Sequence, residues 1–210
     1  MTSSLEIRHL SIANKGRPMF SLNELVKGGE VLTVMGPSGS GKSTLLSWIT
    51  GMLDNNFKAT GSLCLNGLDI SNTVPYLRGI GLLYQDPLLF DHLSVEGNIA
   101  FGMNNTSGEL KSKLINDGLA SFSLDGMNKR APSSLSGGQK ARVALLRLLL
   151  NEPKAILLDE PFSSLDSQLR VETRELVFSE IKKRSLPAIL VTHDEVDAAA
   201  ANGKVVQLGN

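Results

Sequence analysis

The run Gly36-Pro37-Ser38-Gly39-Ser40-Gly41-Lys42-Ser43-Thr44 constrains this chain more than any other stretch of it. It follows the apolar segment Glu30 to Met35, which reads as a strand, and it opens Lys42 to Met52, where apolar residues recur at helical spacing. Strand, glycine-rich turn and helix in immediate succession form the first half of a βαβ unit, and such units build parallel sheets. Glycines at these positions let backbone N–H groups close around an anion with no Cβ in the way, and the helix start adds positive potential. An ordinary glycine-rich turn explains the glycines. It does not explain their place between strand and helix.

The rest of the chain fits that frame. Leu5 and Ile7 alternate with Glu6 and Arg8 as a half-buried strand, and Asn66-Gly67 between Leu63-Cys64-Leu65 and Leu68-Asp69-Ile70 signals a hairpin. Gly81 to Tyr84, Ala155 to Leu158, Ala188 to Val191 and Lys204 to Leu208 read as further strands, and Leu165 to Arg184 as a charged helix. From about Leu93 to Leu150 the pattern is helical, with loops expected at Asn104-Asn105-Thr106-Ser107-Gly108 and Ala131-Pro132-Ser133. The expected fold is α/β: a mainly parallel core sheet, an N-terminal antiparallel part and an inserted helical subdomain. A single domain is expected over 1–210, with 1–85 and 152–210 as core and 86–151 as the helical part.

With 210 residues, 41% of them hydrophobic, the chain can bury a sizeable core. Its 21 basic and 21 acidic residues cancel, which removes any bulk electrostatic reason to hold nucleic acid, and none is expected as a partner. The lone Cys64 fits a reducing compartment. The start does not read as a signal peptide, and no apolar run approaches the roughly 18–20 residues needed to cross a bilayer. A soluble chain is expected, with any membrane role borrowed from a partner.

Two acidic residues, Asp159 and Glu160, end the buried strand at Ala155 to Leu158. In an open parallel sheet, ligands bind at that edge. Lys42 is placed to reach the β- and γ-phosphates of a nucleotide, and the Ser43 hydroxyl and Asp159 to meet Mg²⁺, a cation that takes oxygen ligands. Glu160 is then the candidate general base for an attacking water, a role that contributes roughly 10²–10⁴-fold in rate. Between the two elements lies Leu135-Ser136-Gly137-Gly138-Gln139. Ser136 can cap a helix there while Gly137 and Gly138 expose backbone N–H groups.

That five-residue string resembles the signature of ABC ATPases, and the resemblance covers nearly the whole chain. Gln85 looks like the glutamine that contacts Mg²⁺ and the lytic water, Ser163-Ser164-Leu165-Asp166 resembles the D-loop, and His193 matches the switch histidine at the γ-phosphate. His9 and His92 receive no role. The resemblance implies an ATP- and Mg²⁺-dependent ATPase. Two copies would pack head to tail, ATP on 36–44 of one being covered by Ser136, Gly137, Gly138 and Gln139 of the other, with Asp166 nearby. Asp86 to Ile99 resembles the segment that bacterial import ATPases present to a membrane subunit. Leu45 to Gly51 and Arg142 to Leu150 look particularly like the cassette of a little-characterised bacterial importer. Integral membrane permease subunits, a solute-binding protein and a peripheral place on the cytoplasmic membrane face are the implied setting.

Other classes that share the phosphate loop fit the chain less well. DNA-maintenance relatives split the two halves with long coiled coil, whereas 92 residues (43–134) separate Lys42 from Leu135 here, without sustained heptads. Translation-factor relatives carry two cassettes per chain, and a P-loop kinase would lack the signature. A soluble ABC ATPase acting on a cytosolic partner is the remaining alternative to a transporter motor. One departure is plain. Family members carry an adenine-stacking aromatic shortly after the first strand, and Ser11-Ile12-Ala13-Asn14-Lys15-Gly16 has none. Losing such a stack, worth about 1–3 kcal/mol, weakens ATP binding roughly 5- to 150-fold. Weak base discrimination is expected, with Phe20 the substitute if ATP is strongly preferred. The chain ends just after Leu208, so no C-terminal regulatory domain is expected.

Overall fold

The structure is a computed structural model that describes residues 3–103 and 108–209. The expected loop at Asn104 to Ser107 lies outside the described residues, and Gly108 opens a helix. The chain forms two compact units: Met1–Leu82 with Lys154–Glu160 and Phe178–Asn210, and Leu83–Pro153 with Pro161–Val177.

The first unit holds both sheets. An antiparallel sheet is built from β1 (Ser4–Asn14), β2 (Arg17–Lys27), β4 (Phe57–Leu65) and β5 (Leu68–Asp69), in the order β2-β1-β4-β5. The expected hairpin is its last ribbon, with Leu65 facing Leu68 across Asn66-Gly67. In β1 the buried set shifts from Leu5 and Ile7 to Leu10 and Ile12, a change of parity. A bulge causes it: the pairing slips between Ile7 and Leu10, where His9 adopts φ +47. β2 escaped the sequence reading because it is an edge strand carrying Pro18, with only Leu22 and Val26 buried.

The second sheet runs β6-β7-β8-β3-β9, from β6 (Ile80–Leu83), β7 (Ala155–Asp159), β8 (Ala188–Val191), β3 (Val31–Met35) and β9 (Val205–Gln207). β3 pairs in parallel with β8 and β9, and β7 in parallel with β8. β3 and β8 are buried throughout, the near-continuous apolar pattern of a sheet covered on both faces. Helix α1 (Lys42–Thr50) follows β3 and buries Leu45, Leu46 and Ile49 in the core. Its C-terminus is held from outside the helix. The buried Arg78 guanidinium donates to Trp48 O and Ile49 O, and also to Ser71 O and Thr73 O, at 2.7–3.0 Å.

The second unit is helical. It contains α2 (Val95–Phe101), α3 (Gly108–Ser121), α4 (Gly137–Leu149) and the first part of α5 (Ser167–Lys183). The apolar face of α4 (Val143, Ala144, Leu145, Leu146 and Leu149) is fully buried, and Arg142 donates to Glu172 of α5 at 2.7 Å. In the first unit, α6 (Glu195–Ala201) precedes β9. No helix among the described residues is long and apolar enough to cross a membrane.

Candidate functional site

Parallel pairing decides which residues meet at the sheet's carboxyl edge. Because β8 lies between β3 and β7, with Asp159 opposite Val191 and Val34 opposite Val191, the turns leaving all three strands emerge side by side. The turn after β3 is the glycine-rich loop, the turn after β7 starts at Glu160, and the turn after β8 carries His193. Two backbone bonds tie them: Glu160 N–H donates to Val191 O at 2.9 Å, and Thr192 N–H to Val34 O at 3.3 Å.

Loop residues meet the backbone demands for which glycine is suited. At Gly36 a Cβ would sit 2.4 Å from Leu208 O, and Gly41, at φ +101, caps α1 in a left-handed conformation with the Phe20 ring packed where a Cβ would go. No side chain caps α1, and its first turn holds no acidic residue, so its leading N–H groups keep their capacity for an anion. Lys42 Nζ donates to Gly36 O at 2.7 Å and Pro37 O at 3.0 Å, arching over the loop. Ser38, Gly39, Gly41, Lys42, Ser43 and Thr44 line one cavity of about 440 Å³, which they share with Asp159 and Glu160.

Electrostatics in that cavity favour a cation. Burial and then the Glu160 charge push the Asp159 carboxyl above its ordinary range, with Lys42 pulling the other way. Ser43 hydroxyl and Asp159 carboxylate are hard oxygen donors, the type Mg²⁺ prefers. No group of three or more His, Cys, Asp or Glu among the described residues could hold a metal. The two oxygen donors Ser43 and Asp159 suit a cation that takes the rest of its shell from phosphate oxygens and water.

Glu160 adopts φ +47, a conformation that costs a non-glycine residue about 1 kcal/mol or more, and Glu160 Oε1 lies 3.0 Å from His193 Nδ1. Glu160 also lines the phosphate loop's cavity.

The remaining sequence candidates lie in the second unit. Gln85 is exposed, just beyond β6. Ser136 caps α4 in a reciprocal box: its hydroxyl accepts from Gln139 N–H at 3.3 Å, and Gln139 Oε1 accepts from Ser136 N–H at 3.0 Å. Gly137 is exposed and Gly138 buried. Exposed Asp166 accepts from Leu169 N–H at 3.0 Å, capping α5.

Sequence reasoning missed one part of the cavity. Asn14, Met19 and Phe57 also line it, whereas Phe20 does not. The signal was faint: Asp54-Asn55-Asn56 marks a turn before Phe57, but only the pairing of Asn14 with Phe57 across β1 and β4 brings that ring to the site.

A phosphate-cradling loop, an acid pair and a histidine on one parallel sheet edge define a P-loop nucleotide hydrolase, and comparison with known proteins specifies which. Residues 20–163 match the family model described as ABC transporter. The chain is 46% identical over 187 residues, 89% of its length and 86% of the other's, to the uncharacterized ABC transporter ATP-binding protein YnjD of Escherichia coli K12. It is 39% identical to the thiamine import ATP-binding protein ThiQ of Haemophilus influenzae, over 97% of this chain and 94% of that one. Identity to the putrescine transport ATP-binding protein PotG of Escherichia coli K12 is 36%, covering 98% of this chain and 54% of PotG. The chain belongs to the ABC transporter family, as an ATP-binding subunit that hydrolyses ATP.

Proposed function

We propose that this chain is the ATPase motor of an import-type transporter, working as a head-to-tail pair beneath separate membrane permease subunits. The observation that carries it is the single cavity shared by the phosphate loop, Asp159 and Glu160. In this reading residues 36–44 bind the triphosphate through loop N–H groups and Lys42, and Ser43 and Asp159 would hold Mg²⁺. Mg²⁺, when bound, neutralises charge developing on the β- and γ-oxygens. Glu160 takes the proton of the attacking water, and His193 orients Glu160 through the 3.0 Å contact.

Import is favoured by relatives named for thiamine import and for sulfate/thiosulfate import. A docking segment is favoured by the backbone of 86–94. Arg147 of α4 grips Pro87 O and Leu88 O, both at 2.9 Å, and Asn98 bonds Phe90 in both directions, while Leu88 stays exposed. The helix that starts at the signature loop thus holds this surface segment directly. A peripheral position at the cytoplasmic face of the membrane follows from such docking, and a solute-binding protein completes an import system.

The test is affinity purification of tagged Glu160→Gln protein with ATP from detergent-solubilised native cells. Co-purification of a stoichiometric multi-helix membrane protein is expected. Recovery of ATP-bound protein with soluble partners alone would overturn the transporter reading and leave the ATPase.

A further inference from the structure

The two glycines that open α4 stand in different surroundings. Gly137 is exposed, and a Cβ built on it would find nothing nearer than Leu165 Cδ2 at 3.8 Å. Gly138 is buried, and a Cβ there would lie 3.1 and 3.2 Å from the two δ-carbons of Leu169 and 3.4 Å from its Cγ. At that separation one partner must give way by a few tenths of an ångström. Four residues on, the same side of α4 carries Arg142, which donates to Glu172 at 2.7 Å, and Glu172 lies three residues after Leu169. The two helices are thus joined twice on facing sides. Leu169 has little freedom to yield. Its N–H donates to the Asp166 carboxylate at 3.0 Å, and Arg170 N–H donates to Asp166 O at 2.9 Å. Arg170 Nε donates to Phe162 O at 3.1 Å, and Phe162 is fully buried. The turn that carries Asp166 and the first turn of α5 therefore form one tied piece.

We propose that Leu169 is a positioning residue: seated on the bare Cα of Gly138, it holds the start of α4 and the Asp166 turn in one register. The proposal rests on the head-to-tail reading above, in which a second copy of this chain meets both elements at once. The two glycines then have separate tasks. Gly137 leaves the outer surface open to the partner copy, and Gly138 leaves room for Leu169 on the inner side. A methyl group at 138 would push Leu169 outward and, through the bonds of 166–170, carry the Asp166 turn away from Ser136. Helix propensity argues the other way, since alanine is a better helix former than glycine. Any harm done by alanine at 138 therefore comes from the contact with α5.

The experiment is sedimentation velocity of Glu160→Gln protein with Mg²⁺ and ATP, a variant slow enough for the ATP-bound pair to accumulate. It is run with Gly138→Ala, Leu169→Ala, both together, and Gly137→Ala with and without Leu169→Ala, beside urea unfolding of each. Gly138→Ala is expected to weaken ATP-dependent pairing roughly tenfold, within the range that touching residues show. Its unfolding midpoint should stay at or above that of the parent. In the Leu169→Ala background the same substitution should change pairing by less than about twofold, whereas any loss from Gly137→Ala should be the same in both backgrounds. Equal losses from Gly138→Ala in both backgrounds, or no loss in either, would overturn the proposal. So would rescue of Gly137→Ala by Leu169→Ala, or a pairing loss that follows a lowered midpoint. If Glu160→Gln protein with both glycines intact stayed monomeric with ATP, the head-to-tail reading itself would fall, a separate outcome from failure of the Gly138–Leu169 contact.

Discussion

Two glycine-rich helix starts, α1 in the first unit and α4 in the second, look alike as strings and differ as structures. Both are preceded or opened by glycine. At α4 the chain answers its own need: Ser136 and Gln139 cap each other's backbone. At α1 nothing does. Its N-cap is Gly41, no side chain caps it, and its one cation, Lys42, arches over the loop beside it. An uncapped helix start keeps donors in reserve for an anion, whereas a capped one has already placed part of them. In the function proposed above, the first binds phosphate by itself and the second meets phosphate only when a partner copy delivers the ligand to it.

The largest effect expected from breaking this comparison is at Lys42. Lys42→Ala should weaken ATP binding by on the order of 10²-fold or more, the worth of one or two charged hydrogen bonds, in an equilibrium titration of the isolated chain. Normal affinity would remove the distinction between the two helix starts. Next is the far end of α1. Arg78→Ala removes the guanidinium from four backbone carbonyls, of which Trp48 O keeps a bond from Gly51 N–H, and should cost roughly 2–3 kcal/mol in a urea unfolding curve, with Arg78→Lys recovering only part. An unchanged midpoint would mean that α1 holds its C-terminus without this clamp.

At α4 the expected loss is smaller and of another kind. Ser136→Ala should cost about 1 kcal/mol of stability, the usual worth of an N-cap, and leave ATP affinity of the isolated chain within about twofold. A large loss of affinity in the monomer would show that the signature loop binds nucleotide unaided. The smallest effect has the opposite sign. Asp159 has a folded-state pKa raised above its unfolded value, so folded protein binds the proton more readily. Stability then falls as pH rises from the unfolded pKa through the raised one, and the cost of the charged form is fully present at neutral pH. Asp159→Asn should raise the unfolding midpoint slightly at pH 7 and lose that advantage in acid below the ordinary aspartate range. A lowered midpoint at pH 7 would reverse the sign assigned to this carboxyl.

Much of the fold was legible because its signals are local. Strands β3, β7 and β8 are short apolar runs ending in turn chemistry, and Gly51 stops α1 close to where the helical spacing gives out. Features that depend on pairing between distant segments were not legible. β2 hid behind Pro18 and an edge position, and the bulge at His9 inverted the alternation of β1 midway. The same division holds for the site. Its motifs stand out as strings, and the resemblance they carry agrees with the family the chain belongs to. Phe57 does not stand out, because nothing near it in sequence hints at phosphate, and it reaches the cavity only through the register of β1 with β4. Nor does the left-handed backbone of Glu160, whose N–H bonds Val191 O on a neighbouring strand.

The most direct test of the central claim, that one sheet edge both binds and hydrolyses ATP, is to measure ATP affinity and steady-state turnover of Glu160→Gln side by side with wild type. The predicted result is affinity within about twofold and turnover lower by roughly 10²–10⁴-fold. Turnover at the wild-type rate would contradict the account, because the acid pair at the end of β7 would then play no part in the chemistry.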